Sequence, residues 1–352
     1  VQPGAAMRTI WGPLAAVLAM GFATSLQWPG SVAGIAAPRR LRGPLSVTMV
    51  QIHGGCFALG GKLDAKGTPL HRACLSPYWM DLTEVTVEQY ARCVASGRCT
   101  APTAHDPRHR WFSRCNWGYF GRENHPINCV TWRQARDYCQ FVGKRLPTEI
   151  EWEYSATGPQ YRKYPWGWER PDCTRANILD LSMLAPRTPL VLRVAPHWIE
   201  PKLFRQLLPR FKSFPVGCGW LTTDAVGNRP KGKSYFGLLD MGGNVGEWVK
   251  DCFDADLYLK CTPQCNNYTS PESCGRQTDT RSIRGGGFVS RNPRAALMTD
   301  GRAGFQAMFP RKREVNPSRN PWYWGVALRV EIGFRCAANT RVDVLLIPVP
   351  RQ

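Results

Sequence analysis

The sequence predicts an α+β fold low in regular secondary structure, and three observations predict it. Helix-start signals occur only before residue 160. Beyond that point come short apolar runs separated by glycine, proline and asparagine. The 33 glycines and 29 prolines are spread along all 352 residues instead of forming a tract, which describes a loop-rich domain better than a linker. With 43% hydrophobic residues and 14 tryptophans, the chain is long and apolar enough to bury a core.

Each helix has a mechanism for starting and stopping. Thr86 with Gln89, Thr131 with Gln134 and Thr148 with Glu151 have the spacing of a capping box, in which a hydroxyl and a side-chain carbonyl satisfy two orphan amides reciprocally. They open helices over residues 87–96, 132–142 and 149–156, with Gly97, Gly143 and Gly158 beyond the ends. A weaker helical pattern covers residues 200–208. It lies within a basic, apolar stretch, residues 182–214, where Leu203, Phe204, Leu207, Leu208 and Phe211 fall near one helical face. Such a stretch could lie on an anionic membrane surface. Pro209 and neighbouring prolines break a continuous helix, so a surface insertion is the simpler reading.

The N-terminus reads as an export signal. Met7-Arg8 precedes an apolar run, and small residues through Ala36-Ala37 follow, so residues 1–37 are expected to be removed. A short linker, 38–46, a domain over 47–339 and a tail, 340–352, complete the expected organisation. Fourteen cysteines suit an oxidising compartment. Cys93 with Cys99 and Cys115 with Cys129 are close enough to pair, although spacing alone does not establish connectivity. Cys252, Cys261, Cys265 and Cys274 could be read as four zinc thiolates, but they lack a C-x2-C knuckle. His105 and His109 have helical ligand spacing, which Pro107 interrupts. The net charge of +20 favours anionic surroundings: an anionic polysaccharide, a cell-surface component or an anionic membrane surface. Nucleic acid is disfavoured, because no helix-turn-helix, zinc-finger or RNA-binding signature accompanies the charge.

Several segments occur in a meaningful order. They are Val50-Gln51-Ile52-His53-Gly54-Gly55-Cys56-Phe57; Tyr78-Trp79-Met80-Asp81-Leu82-Thr83-Glu84-Val85-Thr86; His125-Pro126-Ile127-Asn128-Cys129-Val130-Thr131-Trp132; and Gly143-Lys144-Arg145-Leu146-Pro147-Thr148-Glu149. Tyr164-Pro165-Trp166-Gly167, Leu239-Asp240-Met241-Gly242-Gly243-Asn244-Val245-Gly246-Glu247-Trp248, Arg284-Gly285-Gly286-Gly287-Phe288 and Gly333-Phe334-Arg335-Cys336 follow. Together these resemble the formylglycine-generating-enzyme (sulfatase-modifying factor) family over residues 47–339. The resemblance implies that family's compact fold, related to C-type lectins.

The resemblance also carries expectations for sites. Two carboxylates flanking a glycine-rich turn suit a hard cation, and the family binds calcium there. The implied ligands are the Asp240 and Glu247 side chains with the Gly243 and Val245 carbonyls. The competing reading is a satisfied turn with Glu247 paired to an arginine. A second family calcium site implies Asn177 and Ile178, although the insertion supplies no clear carboxylate for it before Pro215. A disulfide between Cys139 and Cys336 is implied as well.

The family's chemistry oxidises a substrate cysteine using copper held by two thiolates, a soft donor pair suited to Cu(I). The corresponding positions here are Ser290 and Ala295, and no cysteine lies between Cys274 and Cys336. The family's nearby serine is Gly287, and its tryptophan before Glu247 is Gly246. Copper is therefore not expected, and the six histidines offer no obvious iron triad. The favoured reading is an exported, non-catalytic, calcium-stabilised binding or scaffold module, a pseudoenzyme. Its variable loops would be residues 285–304 and 316–324. The Trp322-Tyr323-Trp324 cluster could stack on sugars or fill the core. Arg281, Arg284, Arg291, Arg294 and Arg302 would draw an anionic ligand. The alternative is a divergent formylglycine-generating oxidase acting on a cysteine of an exported protein.

Overall fold

The structure is a computed structural model, and it describes residues 47–59, 71–102, 115–178, 218, 222–254, 264–269, 274, 280–288, 303–306 and 331–340. The expected signal segment and linker, the insertion at 182–214 and positions 105, 109, 290, 291, 294, 295, 302 and 316–324 lie outside the described residues.

Three helices form where the caps place them: α1 (Val87–Ala95), α2 (Trp132–Phe141) and α3 (Glu149–Thr157). All three capping boxes are closed in both directions. At α3 the Thr148 hydroxyl accepts from the Glu151 amide at 3.2 Å, and the Glu151 carboxylate accepts from the Thr148 amide at 2.8 Å. Replacing Thr148 by alanine is expected to cost about 1 kcal/mol, the usual worth of an N-cap, read as a lower urea midpoint at unchanged slope.

The strands are short. β1 (Met49–Ile52) and β10 (Ala337–Ala338) both pair antiparallel with β4 (Tyr78–Asp81). β3 (His71–Leu75) lies between β2 (Gly55–Leu59) and β6 (Gln264–Asn266). The third sheet orders β8 (Ala303–Gln306), β7 (Thr280–Arg284), β5 (Gly246–Cys252) and β9 (Ile332–Gly333). A 3-10 turn, Pro230–Gly232, is the only helical element among the described residues after α3. Few helices with several small sheets make this an α+β fold, as expected.

Among the described residues two large apolar clusters form most of the core, beside a small third of Tyr164, Ala176 and Ile178. One gathers Tyr90, Trp117, Tyr138, Trp248 and Phe334 around α1 and α2. Tyr90 stacks on Tyr138 at 5.7 Å, and Phe334 meets the Tyr138 ring edge-on at 5.5 Å. The other gathers Ile52, Leu59, Met80, Trp152, Leu238 and Val249 around α3 and the first two sheets. Every residue of α3 is buried, including three glutamates. Those charges persist inside because each is paired: Glu149 and Glu153 with Arg284 at 3.2 and 2.8 Å, and Glu151 with Arg145 at 2.7 Å.

Six disulfides join Cys56–Cys74, Cys93–Cys99, Cys115–Cys129, Cys139–Cys336, Cys173–Cys218 and Cys252–Cys274. Cys265 is disulfide-bonded too, and no described cysteine is free. The Cys252–Cys274 bond removes two thiolates from the four-cysteine zinc reading. The Cys139–Cys336 bond is the one the resemblance implies. Such a set of bonds belongs to an oxidising environment outside the cytoplasm. No helix among the described residues is long and apolar enough to cross a membrane.

Candidate functional site

The glycine-rich loop 240–247 runs into β5 through a left-handed turn, with φ of +57° at Asp240, +93° at Gly243 and +60° at Asn244. Gly243 has no substitute here, because a Cβ would stand 2.7 Å from the Asn177 carbonyl oxygen. Backbone bonds stitch the loop between two others: Asn244 N–H donates to Asn177 O at 2.9 Å, Gly243 N–H to Gly285 O at 3.1 Å, and Phe288 N–H to Asn244 O at 3.0 Å.

Three carboxylates, Glu247, Glu84 and Asp240, lie within electrostatic reach of one guanidinium, that of Arg335, beside this loop. Arg335 holds Glu247 bidentately, with Nε to Oε2 and Nη2 to Oε1 both at 2.7 Å. Trp152 Nε1–H adds a third donor to Glu247 Oε2 at 2.8 Å. Arg335 also donates to the carbonyls of Asp81, Leu82 and Leu239. Glu247 thus takes the arginine pairing that competes with calcium ligation for its oxygens. Asp240 Oδ2 accepts the Gly227 amide, and burial, opposed by that bond and by Arg335, pushes the carboxyl up to about 6. Glu84 is fully buried, accepting from Val245 N–H at 3.3 Å and Asn244 Nδ2 at 3.2 Å. Burial first, then the Asp240 and Glu247 charges, hold it well above the usual carboxylate range.

Asn177 completes the surroundings. Its Nδ2 donates to Thr222 O at 2.9 Å and to Asn244 Oδ1 at 3.3 Å, while its Oδ1 is buried with no hydrogen-bond partner. Next to it, the Ile178 carbonyl accepts the Cys218 amide at 2.9 Å. Among the described residues no three acidic, histidine or cysteine side chains converge as a metal-binding group. A cation here would therefore need backbone and amide oxygens beside the carboxylates. The donors available for such an ion are all oxygens, as a hard cation such as calcium requires, and one of them, the buried Asn177 amide oxygen, is open.

The loop 115–128 is pinned to the same region through Thr223. Asn116 Nδ2 donates to Thr223 Oγ1 at 2.8 Å, and Thr223 Oγ1 lies 2.9 Å from His125 Nδ1. Arg122 Nη1 also sits 3.0 Å from that nitrogen, so Nδ1 acts as an acceptor in a neutral ring. Burial, then Arg122, lowers the His125 pKa to about 4. The unfolded chain therefore binds the proton more tightly, and this stability is present above about pH 6.5 and lost as pH falls toward 4. Urea midpoints across that window are expected to fall less steeply for His125→Gln than for the native protein.

At the start of β5, Gly246 N–H donates to Glu331 O at 2.6 Å. A Cβ on Gly246 would meet Ile283 Cγ2 at 3.1 Å, and one on Gly287 would meet Glu331 Cβ at 2.9 Å and Oε2 at 3.1 Å. Ile283 and Glu331 thus fill the space that larger residues at these two glycines would need.

The sequence model of the sulfatase-modifying factor enzyme 1-like domain matches residues 38–340. The chain belongs to that family. A formylglycine-generating enzyme of Thermomonospora curvata is 30% identical over 295 residues, 72% of this chain and 86% of the relative. The enzyme of that name from Streptomyces coelicolor is 29% identical over 296 residues, 72% of this chain and 81% of the relative. Similarity also extends to the serine/threonine-protein kinase Pkn1 of Chlamydia trachomatis, 29% identical over 231 residues, of which the chain spans only 30% of the length. Among solved structures, PvdO from Pseudomonas aeruginosa superposes with a TM-score of 0.56 at 22% identity, covering 85% of this chain and 100% of that one; it supports the fold alone.

Within this sulfatase-modifying-factor domain, the structure brings together Asp240, Gly243, Val245, Glu247 and Asn177 with Glu84, which sequence reasoning missed. Its only signal was an acidic residue inside the Asp81-Leu82-Thr83-Glu84-Val85 motif, with nothing local to indicate chemistry. Two arginines expected to draw an anionic ligand are corrected. Arg281 and Arg284 are 4% and 1% exposed. The Arg281 guanidinium lies 3.7 Å from the Trp132 ring centroid and donates to Lys250 O, and Arg284 is committed to Glu149 and Glu153.

Proposed function

We propose that this sulfatase-modifying-factor domain is an exported, non-catalytic binding or scaffold module. The observation that carries the proposal is the state of its sulfur: every described cysteine is in a disulfide, and the family's copper positions are Ser290 and Ala295. A hydroxyl and a methyl group cannot replace two thiolates on Cu(I). The filling of the Gly246 and Gly287 sides by Ile283 and Glu331 supports the same reading. Gly287→Ser, which returns the family's residue, is expected to destabilise by about 1–3 kcal/mol through overpacking against Glu331, read by urea unfolding.

Calcium is proposed as a structural ion. Asp240 and the Gly243 and Val245 carbonyls would hold it, with Glu247 shared between the ion and Arg335. Asn177 and Ile178 are the second candidate set, and the open Asn177 Oδ1 favours the asparagine of that pair. Its contribution would be charge balance for Glu84 and Asp240, not chemistry. Thermal unfolding with calcium against EGTA tests this. A rise in Tm with calcium that Asp240→Asn removes is expected, and equal curves would refute it.

The deciding experiment measures copper content and incubates the protein with a cysteine peptide, scoring aldehyde formation. Neither copper nor aldehyde is expected. Aldehyde formed with bound copper would establish the divergent oxidase instead.

A further inference from the structure

On the surface beyond α3, the loop 158–170 and the segment 231–237 alternate cations with aromatic rings. The Arg162 guanidinium lies 5.1 Å over the Tyr235 ring, and Tyr235 packs against Gly158. Lys163 Nζ lies 5.6 Å over the Tyr164 ring, which stacks on Trp166 at 5.4 Å with a 7° interplanar angle. Tyr164 and Gly167 exchange both backbone hydrogen bonds, and Trp166 Nε1–H caps the Glu169 carbonyl at 3.0 Å, so the turn is rigid. Trp168 emerges from that turn 65% exposed, and Tyr235 is 42% exposed. Lys163, Arg170, Lys231 and Lys233 are exposed along the same two segments, against the single exposed carboxylate Glu169.

Large aromatic faces left in water on a rigid turn are unusual for a surface that has no use for them. Pyranose rings present C–H faces that stack on indole and phenol rings, and their carboxylate or sulfate groups pair with lysine and arginine. The alternation of ring and cation matches a polymer in which sugar faces alternate with acidic groups. A lipid surface would select an apolar protrusion with basic flanks. Single-stranded nucleic acid would select a basic groove with stacking platforms. Here the exposed Trp168 ring stands on a hydrogen-bonded turn, with exposed lysines and an arginine along the same two segments and no run of apolar residues around it, which fits the polysaccharide better.

We infer that the face formed by Arg162, Lys163, Trp166, Trp168, Lys233 and Tyr235 binds an acidic polysaccharide. The inference rests on the binding-module reading and names the partner class for it. It tests separately from the absence of oxidation, which the peptide assay reads.

The experiment titrates the native protein with polygalacturonate, with dextran sulfate and with neutral dextran, following tryptophan fluorescence. Single-stranded DNA and phosphatidylglycerol vesicles are run in parallel. Saturable quenching by polygalacturonate or dextran sulfate and none by dextran is expected, and the better of the two identifies the acidic group. Trp168→Ala and the pair Lys163→Glu with Lys233→Glu should each weaken that binding at least tenfold with unchanged Tm. Trp168→Tyr should retain most of it. Equal binding by native protein and variants, no response to either acidic polymer, or tighter binding of DNA or vesicles that is lost in the same variants would overturn the inference.

Discussion

Replacing Arg335 by methionine is expected to destabilise the domain by about 3–5 kcal/mol, the usual cost of stranding one partner of a buried ion pair. The side chain is inaccessible to solvent and donates to both oxygens of Glu247 and to three backbone carbonyls from two other segments. Without it, Glu247 is left with the Trp152 indole and faces Glu84 and Asp240 without the cation that offsets them. A second substitution, Glu247→Leu, removes the stranded charge and should recover a large part of the loss. Urea midpoints of the native, single and double variants check this as a double-mutant cycle. A cost below about 1 kcal/mol for the single change would mean that the pair is solvated in solution.

The second large effect is expected on removing the Cys139–Cys336 bond. It joins residues 197 apart, so its loss frees most of the described chain in the unfolded state. Loop-closure entropy for a segment of that length corresponds to roughly 5 kcal/mol. The bond lies in the apolar cluster with Tyr90, Tyr138 and Phe334, and both cysteines are fully buried. Cys139→Ala with Cys336→Ala is therefore expected to unfold at a much lower urea concentration. Cys93→Ala with Cys99→Ala, which opens a separation of only 6, should lose less. Similar losses for the two pairs would place the stabilisation in local packing instead of chain entropy.

What was legible in the sequence was local. A capping box needs two side chains three residues apart, so Thr86, Thr131 and Thr148 mark the starts of α1, α2 and α3 directly. The ordered motifs carried the fold and the Cys139–Cys336 pairing through resemblance. What escaped depends on distant partners. Glu84 reaches Asn244 and Val245 across 160 and 161 residues, and nothing near it indicates a buried cluster. Arg281 and Arg284 count as surface charge in any linear reading, yet aromatic and acidic partners on α2 and α3 bury them. The complete burial of α3 was hidden likewise, because three glutamates disguise an interior helix until their arginines are placed.

The sheet that holds β1 and β10 has a topological consequence. Val50 and Ala337 are both opposite Met80, one on either side of β4. Val50 and Ala337 therefore stand two strand spacings apart, roughly 10 Å. But β1 and β10 run in the same direction, so the chain enters this sheet at one end of β4 and leaves it at the other, about 20 Å away. A domain with its ends set apart in this way can be spliced into another protein only where the host loop opens by about 20 Å. Circular permutation likewise needs a linker that runs back along the sheet, about 20 Å between residues 47 and 340, if new termini opened in an exposed turn are to preserve the sheets and the described disulfides.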